Sequence, residues 1–342
     1  MPPEGIEAIS STPYLLGARN GAARAETRKP FVSVLVPAFN EEPILAATLA
    51  ELWHYMNSLG ERFRFEIVVV DDGSTDNTRH VASEFAADKP NVRVVGQPLN
   101  FGLGQALKLG FSNCAGDYIV TMDADLSYAP HHIERLLTAI VREGAMVAVA
   151  SPYMRGGAVA AVPLMRRVAS RCANRLLALA SNAHLATLTG MVRAYDAAFL
   201  RSLNFRAVGM EVNADIVRQA QILRARIVEV PASLRWNRPT KGRQGRSSIN
   251  FVAYVQSLLI WAFLFRPAMF FLIPAAICTL VATYAFIRVA THDDKSLLLF
   301  AVTLLLACQL FCAGLISLHN KKNFEDLFNL VAAGSRRLGG RS

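Results

Sequence analysis

An α/β fold, built on a mostly parallel sheet with helices on both faces and followed by a C-terminal two-helix transmembrane hairpin, is what this sequence predicts. Three observations predict it. From Phe31 onward, apolar β-branched runs alternate with segments of helical period. Polar, turn-forming clusters fall at the ends of successive apolar runs. Two long, charge-poor stretches then occupy the C-terminal quarter.

The elements follow in order. "FVSVLVPAFN" (31–40) reads as a buried strand, and "EEPILAATLAELWHYMNSLG" (41–60) as a helix stopped at Gly60. "FEIVVVDDGS" (65–74) is a second strand. "TDNTRHVASEFAADKP" (75–90) is a helix that starts at a Ser/Thr/Asp cap. "VRVVGQ" (92–97) is a third strand, "GLGQALKLGFSNC" (102–114) a helix and "DYIVTMDAD" (117–125) a fourth strand. Strands that are solidly apolar rather than alternating belong to a parallel sheet buried on both faces.

The stretch from Pro267 to Ala290 and the stretch 296–318 are each long enough to cross ~30 Å of hydrocarbon at ~1.5 Å per residue. Only "THDDK" separates them, so they form a hairpin. Arg235, Arg238, Lys241, Arg243, Arg246 and Arg266 precede it, and Lys321, Lys322, Arg336, Arg337 and Arg341 follow it. The connecting loop holds Asp293, Asp294 and a single Lys. This asymmetry places both ends in the cytoplasm. The N-terminus shows no signal-peptide pattern. The expected organisation is a mobile arm (1–30), a main cytoplasmic domain (31–250) and a juxtamembrane amphipathic helix (251–266) anchored by Tyr254 and Trp261. The hairpin (267–319) and a basic cytoplasmic tail (320–342) complete it, giving a multi-pass protein of the inner, cytoplasmic membrane.

Composition agrees. The 342 residues carry a formal charge of +10 and are 53% hydrophobic, which points to a membrane surface or an anionic partner. No zinc-finger spacing or aromatic RNA-binding pattern accompanies the charge, so nucleic acid is not expected as a partner. The five cysteines are scattered and form neither a disulfide framework nor a CxxC metal site.

Ligands of open α/β sheets bind beyond the carboxyl ends of the strands. Here those ends read "PAFNEE", "DDGSTDNT" and "DADLSYAP", three polar clusters on one edge. Asp123 and Asp125, one residue apart, present two hard oxygen ligands suited to Mg²⁺ or Mn²⁺. Such ions usually bridge carboxylates to substrate phosphates, so a nucleotide diphosphate is the expected ligand. Asp72 is placed to hold its base or ribose. Walker A is absent, which excludes ordinary P-loop hydrolysis. "NFGLGQAL" follows the third strand and lacks a third glycine, which sets aside a dinucleotide-binding dehydrogenase. His131 and His132, at a helix start, are expected on the surface rather than on zinc.

"VSVLVPAFNEE", "IVVVDDGSTDNT", "NFGLGQALKLGF" and "YIVTMDADLSYAP" resemble the signature blocks of family 2 inverting glycosyltransferases with the Rossmann-like GT-A fold. "RRVASRCANRLL" and "TGMVRAYDAAFL" resemble, more narrowly, polyprenyl-phosphate sugar synthases of the dolichyl-phosphate mannose synthase type. The resemblance implies that Pro37, Phe39 and Glu41 line the nucleotide pocket and that Val70 and Asp72 contact base and ribose. It implies that Asp123, Ala124 and Asp125 hold metal and diphosphate, that Arg166 and Ser170 receive the lipid phosphate, and that Glu211 faces the sugar. It implies as well that the basic loop carrying Arg243 and Arg246 closes over the diphosphate. The chain departs from the pattern at Pro152, where the subgroup has Arg and Arg155 lies nearby. It departs also at Ser248, in place of Lys, and at Ser127, in place of Gln.

An ionised lipid phosphate needs little general-base help, so positioning and charge stabilisation carry the expected chemistry. Asp125, Arg166 and Glu211 are the expected catalytic residues, with Arg155, Arg166 and Ser170 on the acceptor phosphate. The expected partners are a nucleotide sugar, polyprenyl phosphate and the bilayer. A homo-oligomer, GDP versus UDP, and the sugar all stay open. A processive synthase is a competing reading, but its QxxRW motif fails here because Ala232 stands before Arg235–Trp236. An inactive membrane scaffold is the other, and the intact Asp123–Asp125 pair argues against it.

Overall fold

A computed structural model describes residues 28–181, 185–204, 209, 211–235, 263, 266–291 and 296–339. The N-terminal arm up to residue 27, the basic loop with Arg243 and Arg246, and nearly all of the expected juxtamembrane helix lie outside the described residues.

Strands β1 (Phe31–Ala38), β2 (Arg64–Asp71), β3 (Val92–Gly96) and β4 (Tyr118–Thr121) pair in parallel in the order β3-β2-β1-β4. Helices α1 (Glu42–Ser58), α2 (Thr78–Ala86) and α3 (Leu103–Asn113) connect them. After α4 (His132–Val141) come β5 (Val147–Ser151) and the short β6 (Ala158–Ala160), then α5 (Leu164–Ser181), β7 (Arg193–Asp196) and α6 (Ala197–Arg201). The domain closes with α7 (Val212–Ile222), β8 (Ile227–Pro231) and β9 (Ser233–Arg235). β7 enters between β4 and β5 and runs antiparallel to both, giving the full order β3-β2-β1-β4-β7-β5-β8. β6 and β9 form a separate two-stranded sheet.

Side chains alternate across each strand and so build two cores. Val32, Val34 and Val36 of β1 with Ile67 and Val69 of β2 meet Leu45, Leu49, Leu52 and Met56 of α1 and Ile133, Leu136 and Leu137 of α4. Leu35, Val68 and Val70 face the other way, against Leu107 and Phe111 of α3 and Val212 and Ile216 of α7. Gly110 sets the closeness of α3 to the sheet, because a Cβ there would lie 2.3 Å from Leu35 Cδ1.

The C-terminal part consists of α8 (Pro267–Ala290) and α9 (Leu297–Gly339). Pro267–Ala290 and the first part of α9, Leu297–Asn323, have mean hydropathies of 2.2 and 2.4 and are long and apolar enough to cross a membrane. Their large side chains face outward, Leu280 at 71% and Leu298 at 75% exposure, while the buried positions are small, Ala275, Ala282 and Ala285. A Cβ on Gly314 would meet Leu272 Cδ2 at 2.7 Å, so the two helices approach through small residues, as bilayer helices do. The segment expected as a tail beyond residue 319 continues α9 as helix to Gly339.

Candidate active site

Beyond the carboxyl ends of β1, β2 and β4 lies an open cleft of about 330 Å³. Pro37, Phe39, Glu41, Asp72, Asp123, Ala124 and Asp125, all singled out from the sequence, line it together with Asn100, Gly102 and Met191. Val70 does not line it: its side chain is fully buried in the second core.

The two polar segments that follow β1 and β2 lock each other. Asn40, in the left-handed region at φ 55°, accepts the Thr75 N–H on Oδ1 at 2.8 Å, and its own N–H donates to Ser74 Oγ at 3.0 Å. The Glu41 N–H donates to Thr78 Oγ1 at 2.7 Å, and the Glu42 carboxylate accepts the Asn77 N–H at 3.1 Å. The serine, threonines and asparagine of "DDGSTDNT" therefore shape the rim.

Asp72 has a second duty. Its two carboxylate oxygens accept the N–H groups of Phe101 at 3.1 Å and Gly102 at 3.0 Å. This pins the loop before α3 against the strand end. Gly73, at φ 68°, permits the approach, since a Cβ there would sit 2.2 Å from the Leu99 carbonyl carbon. Burial pushes the Asp72 carboxyl up, and the two amide donors pull it partly back. Both Asp72 oxygens are thus already engaged in holding the loop.

The Asp123–Asp125 turn is held by two hydrogen bonds and a left-handed residue. Thr48 Oγ1 of α1 donates to Ala124 O at 2.7 Å, the Ser127 N–H donates to Asp125 Oδ1 at 2.9 Å, and Leu126 adopts φ 47°. A bulky residue in that region costs about 1 kcal/mol or more and persists only where its surroundings fix it. The Asp123 carboxyl is pushed up to about 7, first by burial, then by the Asp125 and Glu41 carboxylates. The cleft thus gathers more negative charge than it stabilises by itself, which is the chemistry a divalent cation relieves. No group of three or more His, Cys, Asp or Glu able to hold a metal occurs among the described residues. Two carboxylates suit an ion that completes its shell with substrate phosphate and water.

His132 departs from the surface position expected of it, being 1% exposed. Its Nε2 accepts the Ser233 N–H at 3.2 Å and lies 3.2 Å from Ser233 Oγ. The Arg235 N–H donates to Ser127 O at 2.9 Å, and Leu234 bridges Tyr128. β9 is thereby clamped onto the segment that follows the two acids, immediately before the basic loop. Accepting an amide proton requires neutral imidazole, and burial first, then His131 and Arg135, bring its pKa down to about 4. The folded value lies below the unfolded 6.5, so His132 favours folding above pH 6.5 and loses that contribution as pH falls toward 4. Thermal melts should show the parent losing more stability than His132→Gln between pH 7 and 4.5. Equal losses would refute the neutral-acceptor role.

Positions 166, 170 and 174 follow one another at four-residue steps along α5. Asn174, 2% exposed, accepts the N–H groups of Leu188 at 2.7 Å and Thr189 at 3.1 Å, and donates to Ser170 O at 2.9 Å. Glu229 of β8 accepts the N–H groups of Ala186 and Thr187, each at 2.8 Å. Arg193 is fully buried and donates to Gly190 O at 2.7 Å, Asn213 O at 2.9 Å and Leu188 O. Three side chains from three elements therefore fix the loop 186–190, which leads into Met191 of the cleft and abuts α5. Sequence reading singled out Arg166 and Ser170 but passed over Asn174 and Arg193, although both lie within the blocks that carried the resemblance. Glu211 caps α7 and accepts the Gly209 N–H at 3.1 Å; it is not part of the cleft lining. Arg155 is exposed in the turn between β5 and β6.

The family model described as "Glycosyl transferase family 2" matches residues 33–203. A dolichol-phosphate mannosyltransferase of Pyrococcus furiosus is 28% identical over 233 residues, covering 67% of this chain and 64% of that protein. An undecaprenyl-phosphate 4-deoxy-4-formamido-L-arabinose transferase of Edwardsiella ictaluri is 33% identical over 51% of each chain. A polyprenol monophosphomannose synthase of Mycolicibacterium smegmatis is 34% identical over 58% of this chain and 75% of its own. The chain thus spans 64% and 51% of the length of the first two relatives. Among solved structures, glucosyl-3-phosphoglycerate synthase of Mycobacterium tuberculosis, in complex with Mn²⁺, UDP and glucosyl-3-phosphoglycerate, is similar with a TM-score of 0.50. It is 23% identical, over 69% of this chain and 81% of that one. Mannosyl-3-phosphoglycerate synthase of Rubrobacter xylanophilus reaches a TM-score of 0.52 at 18% identity, over 68% and 72%. These two likenesses concern the fold.

Proposed function

Because the chain belongs to glycosyl transferase family 2, we propose that this glycosyltransferase moves a single sugar, with inversion, from a GDP- or UDP-linked donor to polyprenyl phosphate at the cytoplasmic face of the inner membrane. One observation carries the reading: a single chain joins a cleft of about 330 Å³ lined by Asp123 and Asp125 to two helices of bilayer length. The three relatives named above all bear names of lipid-phosphate sugar transferases, in keeping with it.

In this reading Asp123 and Asp125 hold Mg²⁺ or Mn²⁺, which supplies charge neutralisation for the departing nucleotide diphosphate. Pro37, Phe39 and Glu41 form one wall of the nucleotide pocket. Asp72 holds the loop 99–102 in place and offers its remaining acceptor capacity to the ribose, with Val70 beneath it as packing. Arg166 and Ser170 orient the acceptor phosphate oxygen toward the anomeric carbon, with Arg155 as an additional cation. That oxygen is already ionised near neutral pH, so the new bond forms as the bond to the diphosphate breaks, without a strong base. Glu211 faces the sugar, and Arg243 and Arg246 close over the diphosphate.

The test is a transfer assay. Full-length protein in detergent, with Mn²⁺ or Mg²⁺ and polyprenyl phosphate, is incubated with labelled GDP- and UDP-sugars one at a time. Label extracted into the organic phase with one donor establishes the reaction and identifies the sugar. Metal-dependent donor binding with no lipid product would point to another acceptor and overturn the proposal.

A further inference from the structure

The region around α5 is unusual in charge. No Asp or Glu occurs between Glu143 and Asp196, while six arginines do, at 155, 166, 167, 171, 175 and 193. Arg193 is buried in its carbonyl cage, and among the others Arg155, Arg171 and Arg175 are exposed, in the turn before β6 and on α5.

α5 has two unlike faces. At ~100° per residue, positions 164, 168, 171, 172 and 175 fall within an arc of about 100°. That arc is exposed: Leu164 at 73%, Val168 at 49%, and Arg171, Cys172 and Arg175 all open to solvent. The opposite face is buried, with Ala173, Asn174 and Leu177 at 3% exposure or less. Just before the helix, Ala158, Ala160, Ala161 and Pro163 are exposed as well. Single exposed leucines are ordinary. An exposed pair of apolar residues, Leu164 and Val168, flanked by arginines in a segment without acids, is not the pattern of a solvated helix face, where both signs mix. It is that of a surface helix whose apolar side enters the headgroup region while its cations meet anionic lipid. Long Arg side chains can reach upward from such a depth to the phosphates.

We propose that this outward face of α5, together with the exposed 158–163 segment, seats on an anionic bilayer surface. The inference goes beyond the transfer reaction and does not require it, but it gives that reaction a geometry. The inward side of the same helix bears Ser170 and the Asn174 contacts to the loop leading to the cleft. Seating the outward side would place the acceptor-binding helix at the depth of lipid phosphates.

The test uses the full-length chain with Cys278→Ala, Cys308→Ala and Cys312→Ala, so that Cys172 is the reactive thiol; Cys114 is buried. Cys172 is labelled with an environment-sensitive fluorophore, and the protein is reconstituted into vesicles of phosphatidylcholine with about one third phosphatidylglycerol, containing headgroup-proximal spin-labelled lipid. The expected result is a blue-shifted emission, quenched at least about twofold by the spin label. Arg171→Gln with Arg175→Gln should lose most of that quenching. A label at Ser83→Cys on α2, in a Cys172→Ala background, gives the water-exposed baseline, and a label at Leu280→Cys in α8 confirms insertion. Emission at position 172 equal to the Ser83→Cys baseline, with the Leu280→Cys label quenched, overturns the proposal. So does quenching that the two Gln substitutions leave intact. Because no sugar transfer is read, failure here is distinct from failure of the proposed reaction.

Discussion

At pH 8, Asp123→Asn melts at a higher temperature than the parent when divalent metal is absent, and in Mn²⁺ its transfer rate is at least ~10³-fold below the parent's. Both effects come from one carboxylate. In the folded chain its pKa is pushed up to about 7 from 3.8, by burial and by the charges of Asp125 and Glu41. A folded pKa above the unfolded one means that the ionised form destabilises the fold. The cost is absent below pH ~4, where both states are protonated, grows between pH 4 and 7, and is complete above 7, on the order of 2–4 kcal/mol. Asn removes the charge and nearly keeps the shape. The melting difference should therefore shrink toward pH 4 and in saturating Mn²⁺, where the parent alone is stabilised. The activity loss follows from the several kcal/mol of charge stabilisation that a held cation contributes to a leaving diphosphate. Asp125→Ala should be equally inactive while still folding. Parent-like turnover by either variant would remove the metal assignment, and an Asp123→Asn protein that melts below the parent at pH 8 would refute the excess-charge account.

That carboxylate was legible in the sequence because strand-end acids in a parallel sheet have few structural uses. The four parallel strands were legible for the related reason that Val32–Val36 and Ile67–Val70 are apolar at nearly every position. β7 was not: "RAYD" is four residues with charged ends, and its place between β4 and β5 depends on Arg193 being buried with its partners, which no local pattern announces. Asp72 was singled out as a ligand-binding candidate but not as a loop anchor, since its amide partners lie about thirty residues onward. His132 looked like a surface residue because a helix start usually is one; β9, a hundred residues later, covers it. α9 was cut short at the end of its apolar run, where hydropathy ends but helix propensity does not. In each case the missing information is a long-range contact, while the readable part is periodicity and chemistry at chain positions that topology brings to one edge.

Arg193→Met should cost about 3–5 kcal/mol of stability, the largest loss expected of any single substitution in this region. The guanidinium is fully buried, yet no acid forms an ion pair with it among the described residues; its donors go to the carbonyls of Gly190, Asn213 and Leu188. Burial draws its pKa down, with Tyr195, Tyr128 and Glu229 supporting the charge. A buried cation so arranged contributes little by being there. Removing it is expensive because three carbonyl oxygens are left without donors in a space that a thioether fills, and an unsatisfied buried acceptor costs about 1–3 kcal/mol. Arg193→Lys keeps the charge but loses the planar fork, so it should recover only part of the loss. The same argument predicts where the damage spreads. Leu188 and Gly190 lie in the loop that Asn174 ties to α5, and Asn213 is two residues from Glu211. A surviving Arg193→Lys enzyme should therefore show altered KM for both donor and acceptor, whereas Asn174→Ala should act chiefly on the acceptor. Thermal unfolding in detergent with steady-state kinetics on both variants distinguishes the cases. An Arg193→Met protein that melts within about a degree of the parent would mean that water reaches those carbonyls, and that the loop is held by Glu229 and Asn174 alone.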